Sequence, residues 1–281
     1  MEKKVWFITG CSTGFGRALA QRTLALGYPT VCTARNLAQV EDLVAGHGDQ
    51  GLALKLDVTD PGQIAAAVRA AADRFGTIDV LVNNAGIGYF GSMEESDLAE
   101  VRRMFEINLW GLAQTTREVL PLLRAQKSGT IVNISSIAGI AALPALSFYN
   151  ATKFAVEGLS EALSQEVAPL GIKVLLVEPG PFRTDWAGRS AAEATETIAD
   201  YRDTAGAGVR MFRGRSGRQA GDPVRAAAAI IQAVEAPEPP LRLLLGKVAL
   251  ANARKKVAAL QKDFEGWAAV TEAADFPEQP Q

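Results

Sequence analysis

The chain has 281 residues, with 29 Lys+Arg against 31 Asp+Glu for a net charge of -2, and 48% of its residues are hydrophobic. The near-balance and the lack of a basic stripe exclude the electrostatic footprint of a nucleic-acid binder, while the apolar content suffices for the core of one large domain. One histidine and two cysteines without ligand spacing exclude Ser-His-Asp chemistry and an ordinary zinc site; Cys11 and Cys32 suit a reducing, cytoplasmic setting.

In chain order, Met1 to Lys4 carry the charge of a signal-peptide start, but the apolar run behind them ends at Thr9-Gly10. It is a strand, too short for a signal or a membrane span. Apolar runs at 5–9, 30–33, 52–56, 80–82, 130–134, 174–177 and 241–245 predict seven strands. Helical patterns at 16–26, 37–45, 63–75, 98–124, 148–167, 224–234 and 247–267 lie between and after them. Unbroken apolar strands joined by helices imply parallel neighbours buried on both faces, hence a doubly wound α/β sheet in one domain over 1–246. The stretch 185–222 has little hydrophobic period and follows the sixth strand on the side where ligands enter. It reads as an active-site lid rather than a solvated insertion. Residues 247–281 read as a helical extension ending in a frayed tail from 277.

The loop Thr9-Gly10-Cys11-Ser12-Thr13-Gly14-Phe15-Gly16 links the first strand to the first helix. Its glycines allow a tight turn and close approach of a pyrophosphate to a helix N-terminus, although the Gly-x-x-x-Gly-x-Gly spacing is not the generic dinucleotide fingerprint. At the end of the second strand, Cys32-Thr33-Ala34-Arg35-Asn36 offers no carboxylate for ribose hydroxyls. Arg35 instead suits the 2'-phosphate of NADP(H), against the alternative of an exposed arginine at a helix start. Arg17 in the first helical turn reads as structural, and His47 as part of a surface turn.

Further along, the fifth strand ends in Ser135-Ser136, and the following helix opens with Tyr149 and, one turn on, Lys153; Asn108 lies upstream. These four side chains can move a proton on or off a carbonyl oxygen. A phenol has an unperturbed pKa near 10, and bringing it near 7 takes roughly 4 kcal/mol. A lysine at i+4 and the Ser136 hydroxyl are expected to supply that, while Ser135 reads as structural.

Together, Thr9-Gly10-x-x-x-Gly14-x-Gly16, Asn83-Asn84-Ala85-Gly86, Asn108, Ser136, Tyr149-x-x-x-Lys153 and Pro179-Gly180 resemble the short-chain dehydrogenase/reductase family over about residues 5–246. The resemblance implies a seven-stranded Rossmann-type sheet and hydride transfer between a nicotinamide and a carbonyl or secondary alcohol. Tyr149 would donate the proton, Ser136 polarise the oxygen, Lys153 reach the ribose hydroxyls, and Asn108 hold a water linking Lys153 to solvent. It further implies that Asp57 and Val58 meet the adenine, that Asn84, Ala85 and Gly86 line the cofactor floor, and that Pro179, Gly180, Phe182 and Thr184 hold the carboxamide. Many NADP-using members carry a basic residue where this chain has Thr13, so the NADP(H) preference rests on Arg35, with Ser12 as helper.

The segments 9–16, 33–35 and 243–247 look most similar to the branch holding 17β-hydroxysteroid and retinol dehydrogenases. Residues 87–90, 137–146, Phe182, Trp186, Met211 and Phe212 are expected to line a mostly apolar pocket for a hydrophobic ketone, aldehyde or alcohol. A homo-oligomer, dimer or tetramer, is expected, with the 247–281 extension favouring a dimer or covering the substrate entrance. The rival reading is a silent NADP(H)-binding sensor of the same fold.

Overall fold

The computed structural model describes residues 3–276; the predicted tail at 277–281 lies outside them. The chain runs β1 (Trp6–Ile8), α1 (Gly14–Ala25), β2 (Thr30–Ala34), α2 (Glu41–Val44), β3 (Gly51–Lys55), α3 (Pro61–Phe75) and β4 (Val80–Asn83). Next come β5 (Gly88–Phe90), α4 (Leu98–Phe105), α5 (Leu112–Gln126), β6 (Gly129–Ile134), α6 (Ser147–Val167) and β7 (Ile172–Pro179). The last third holds β8 (Ala191–Glu193), α7 (Ala207–Gly214), α8 (Pro223–Glu235), β9 (Arg242–Leu245) and α9 (Lys247–Glu272).

All seven predicted strands join one sheet in the order β3-β2-β1-β4-β6-β7-β9, every neighbour parallel. Alternation along each strand explains why both faces are apolar. In β1, Trp6 and Ile8 pack with Leu19 and Leu24 of α1 and Ile230 of α8, whereas Phe7 packs with Ile64 and Val68 of α3 and Val119 of α5. The same split recurs in β4, with Val80 and Val82 on one face and Leu81 on the other. Each such side chain contributes roughly 1.5–3 kcal/mol on burial, so the sheet is held from both sides.

Local chemistry sets the helix ends. Asp60 caps α3 by accepting from the Gly62 and Gln63 amides, Pro61 occupies its first turn, and Gly76 at φ 76° closes it. Asp222 and Pro223 do the same for the start of α8. The helix expected over 98–124 is one run interrupted by a π-helical turn, Glu106–Gly111, that carries Asn108. Such insertions cluster at functional sites because they re-aim a side chain.

Two features depart from the sequence reading. β5 and β8, three residues each, form a separate parallel pair too short for a periodicity to reveal. The stretch 185–222 is more regular than expected: it contains β8, a π turn at Arg202–Gly206 and α7, whose Val209 and Phe212 pack against Phe90 and Tyr149. Its arginines and glycines masked those few apolar anchors. No helix among the described residues is long and apolar enough to cross a membrane.

From β1 the chain winds to one side through β2 and β3, and from β4 to the other. The carboxyl ends of β1 and β4 therefore flank the crevice where doubly wound sheets bind ligands.

Candidate active site

At that crevice the loop after β1 has Gly10 at φ 70° and Gly14 at φ 60°, left-handed values that favour glycine. A Cβ on Gly10 would lie 2.9 Å from Ala85 Cα; one on Gly16 would collide with Asn84 Nδ2 and lie 2.5 Å from the Gly10 carbonyl. The loop and the segment after β4 are bonded directly. Asn84 Nδ2 donates to Thr9 O (2.8 Å) and Gly10 O (2.9 Å), and Thr9 Oγ1 accepts from the Asn84 and Ala85 amides. Thr13, at the N-cap of α1, makes no side-chain cap bond, so the first amides of this helix are available to an anion.

A cavity of about 720 Å³ begins at this loop and runs to the segment around Trp186 and Phe212. Of the predicted cofactor residues, Gly10, Ser12, Thr13, Gly14, Phe15, Arg35, Asp57, Val58, Asn84, Ala85, Gly86, Pro179, Gly180, Phe182 and Thr184 all border it. Gly16 does not; it lets α1 close on the loop from behind. Arg35 is exposed at the cavity rim, whereas Arg17 is turned to Asp42 and Gln39 O, as a structural residue should be. Asp57 Oδ1 accepts from the Thr59 amide and hydroxyl, fixing the turn after β3.

Ser136, Tyr149 and Lys153 come together at the cavity's centre, all nearly buried. Ser136 sits just past β6, its Oγ accepting from the Ala138 amide at 3.1 Å, and its hydroxyl faces the Tyr149 phenol. The Tyr149 ring lies 4.8 Å from that of Trp186, and Lys153 Nζ lies 5.7 Å from the Tyr149 ring centre. The ammonium donates to Ile134 O at 2.8 Å.

The electrostatics correct one expectation. Burial pushes the Tyr149 phenol above its ordinary value, with the Ser136 hydroxyl pulling the other way. Burial also lowers Lys153 to about 8, opposed by the charge of Glu157. Burial disfavours both charged forms inside the fold, and for the phenol it is the largest effect. The phenol is thus a firmly protonated acid at neutral pH.

Asn108 is placed behind the cavity rather than in it. Its Oδ1 accepts from the Ile87 amide (2.8 Å), and its Nδ2 donates to Ile87 O (2.9 Å) and Thr152 Oγ1 (3.2 Å). The side-chain amide is committed to holding the chain after Gly86 against α6, which the expected water-holding role did not anticipate.

Of the predicted pocket wall, Ile87, Ile137, Ala138, Leu143, Leu146, Phe182, Trp186, Met211 and Phe212 face the cavity. Gly88, Tyr89 and Phe90 do not, because they form β5 and pack behind it. The sequence reading missed Arg103, Gln219, and Val248 and Asn252 of α9. The turn at Gly246 (φ 90°) sends α9 back over the cavity, and no local pattern announces that.

Residues 4–195 match the family model described as short chain dehydrogenase. The chain is 40% identical over 265 residues to the oxidoreductase BOA17 of Botryotinia fuckeliana, covering 94% of this chain and 96% of that one. It is 36% identical over 251 residues to a 3-ketodihydrosphingosine reductase of Bacteroides thetaiotaomicron, covering 88% and 89%. A short-chain dehydrogenase from Streptomyces avermitilis superposes with a TM-score of 0.91 at 42% identity, covering 98% of this chain and 100% of that one. A Burkholderia phymatum family member in complex with NAD gives 0.80 at 26% identity, covering 100% and 98%. An alcohol dehydrogenase from Thermococcus sibiricus complexed with 5-hydroxy-NADP gives 0.72 at 26%, covering 87% and 96%. The Rossmann-type sheet with its glycine loop, the cluster of Ser136, Tyr149 and Lys153, and these matches lead to one assignment: the chain is an oxidoreductase of the short-chain dehydrogenase/reductase family.

Proposed function

We propose that this oxidoreductase uses NADP(H), in preference to NAD(H), to reduce an apolar ketone or aldehyde. The supporting observation is the continuity of one cavity, with Arg35 at one end, Ser136, Tyr149 and Lys153 at its centre and Leu143, Leu146, Trp186, Met211 and Phe212 beyond them. Bound NADPH would supply the hydride. Tyr149 protonates the carbonyl oxygen, Ser136 polarises it, Lys153 orients the ribose, and Asn108 positions the floor at Ile87. The residues from Trp186 to Phe212 act as the lid that keeps water from the reacting centre. The Bacteroides relative, named as a reductase of a 3-keto compound, fits a ketone substrate. The same reading places the protein, both cysteines free, in the cytoplasm as a homo-oligomer.

Arg35 makes no ion pair among the described residues, so its guanidinium is free for a 2'-phosphate. A hydrogen bond to a charged group is worth about 1.5–3 kcal/mol, so Arg35→Asp is expected to weaken NADPH roughly 10- to 100-fold and to spare NADH. Fluorescence titration of both cofactors reads this; equal losses would remove the NADP(H) assignment. Oxidation of NADPH by the purified protein against apolar ketones and aldehydes tests the reaction itself.

A further inference from the structure

Glu157 lies one helical turn beyond Lys153 on α6, and Glu178 lies near the end of β7. Both are inside the fold, Glu157 6% exposed and Glu178 0%. The cation against them is Arg242 of β9, whose Nε lies 3.1 Å from Glu157 and 3.5 Å from Glu178 while its Nη2 reaches Glu161 at 2.6 Å. The other residues around this second cavity, Gly139, Ile140, Leu244, and Ala253 and Val257 of α9, bring no charge. Three carboxylates therefore face one guanidinium. Glu161 is half-exposed and its charge is solvated. With Glu157 and Glu178 both ionised, however, two buried carboxylates would share one guanidinium, offset only in part by Lys153 one turn from Glu157, which is unfavourable.

The unfilled acceptors point the same way. Among the described residues, Glu178 Oε1, Glu178 Oε2 and Glu157 Oε1 have no hydrogen-bond donor. A proton carried by one carboxyl and donated to the other satisfies two of these three oxygens. Ser135 Oγ is also buried without a hydrogen-bond partner among the described residues, and it lies beside the Glu157 side chain around Gly139. Ser135 in turn separates Ile134, whose carbonyl holds Lys153, from Ser136.

We propose that Glu157 and Glu178 share a single proton beneath the end of β6, and that Glu157 is a positioning residue that keeps Lys153 charged and Ser135 in place. The second half rests on the reading of Lys153 given under Proposed function; the first does not. Burial and the Glu157 charge push Glu178 up to about 8, and burial also raises Glu157. Glu157 opposes the loss of charge on Lys153.

The sign of the stability effect follows from linkage. A carboxyl whose folded pKa lies above its unfolded value of about 4.3 holds a proton in the native state that the unfolded chain has lost. The stabilising contribution is complete below about pH 4 and is lost as pH rises towards 8. Across that window the folding constant should fall by up to tenfold per pH unit from this group.

Glu178→Gln has no such proton to lose and keeps a donor towards Glu157. Urea unfolding from pH 5 to 8.5 should show a shallower fall in stability for Glu178→Gln than for the wild type. An unchanged slope overturns the shared proton, and this measurement needs neither cofactor nor substrate. In parallel, NADPH affinity is titrated from pH 6.5 to 9.5. Loss of a charge about one turn away should move the Lys153 transition in Glu157→Gln to lower pH by about half a unit to two units, for an effective dielectric between 80 and 20. Glu178→Gln should leave that transition in place. A transition unmoved in Glu157→Gln, or moved equally in both variants, overturns the positioning role. Failure of the wild type to bind NADPH would instead remove the cofactor reading, while the urea slopes still decide the proton pair.

Discussion

Tyr149→Phe is expected to lower turnover by about 10²–10⁴-fold, the range of a lost general acid, while changing the NADPH dissociation constant less than about twofold. The substitution removes one oxygen. The ring that packs 4.8 Å from Trp186 remains, and so does the body against which Lys153 rests. Ser136 keeps its bond from the Ala138 amide, so the strand end should not shift. The phenol's elevated pKa sharpens the expectation, since burial keeps the proton in place through neutral pH and reduction needs it there. With Lys153 near 8, reductive activity should hold through neutrality and decline above that value as the ammonium is lost. Single-turnover reduction by wild type and variant, beside cofactor titration, separates chemistry from binding. Retained turnover in Tyr149→Phe would remove the phenol from the mechanism.

The sequence announces the sheet because each strand must be apolar on both faces. Trp6-Phe7-Ile8 sends side chains alternately into two helical layers, so no polar residue interrupts the run. The glycine loop is equally legible, since a left-handed turn and close packing leave glycine as the residue that fits at Gly10 and Gly16. What the sequence hides is of another kind. Gly88 to Phe90 read as pocket wall, yet pairing with Ala191–Glu193 turns them inward, a contact between segments about a hundred residues apart. Val248 and Asn252 reach the cavity only because α9 folds back after β9. The Tyr149–Lys153 spacing is local and brings both side chains to one cavity, but the sign of the phenol's shift depends on burial, to which many distant residues contribute. Arg242 likewise meets Glu157 and Glu178 only when β9 lies beside β7. Local rules set elements and turns, whereas solvent exclusion at a point is a property of the assembled fold.

The second large effect is expected from Gly16→Val, which touches no predicted catalytic group. A Cβ here would be driven into Asn84 Nδ2 and the Gly10 carbonyl, two atoms already bonded to each other at 2.9 Å. Asn84 would have to swing away, releasing Thr9 O and Gly10 O and loosening the segment that lines the cofactor floor. Overpacking costs about 1–3 kcal/mol and each buried acceptor left without a donor about as much again. A total of about 3–9 kcal/mol would lower Tm by roughly 6–36 °C for a chain of this size. Loss of the loop geometry should weaken NADPH at least about 100-fold, because the pyrophosphate needs the backbone itself to come close. Gly158→Ala supplies the contrast. Nothing lies within 4 Å of its added Cβ, and Gly158 is inside α6, where alanine is favoured by roughly 0.5–1 kcal/mol. Scanning calorimetry should therefore show Tm falling for Gly16→Val and rising by a few degrees for Gly158→Ala, with NADPH affinity lost only in the first. If Gly16→Val bound NADPH as tightly as the wild type, the glycine loop and Asn84 would not be the cofactor's seat, however well they resemble one.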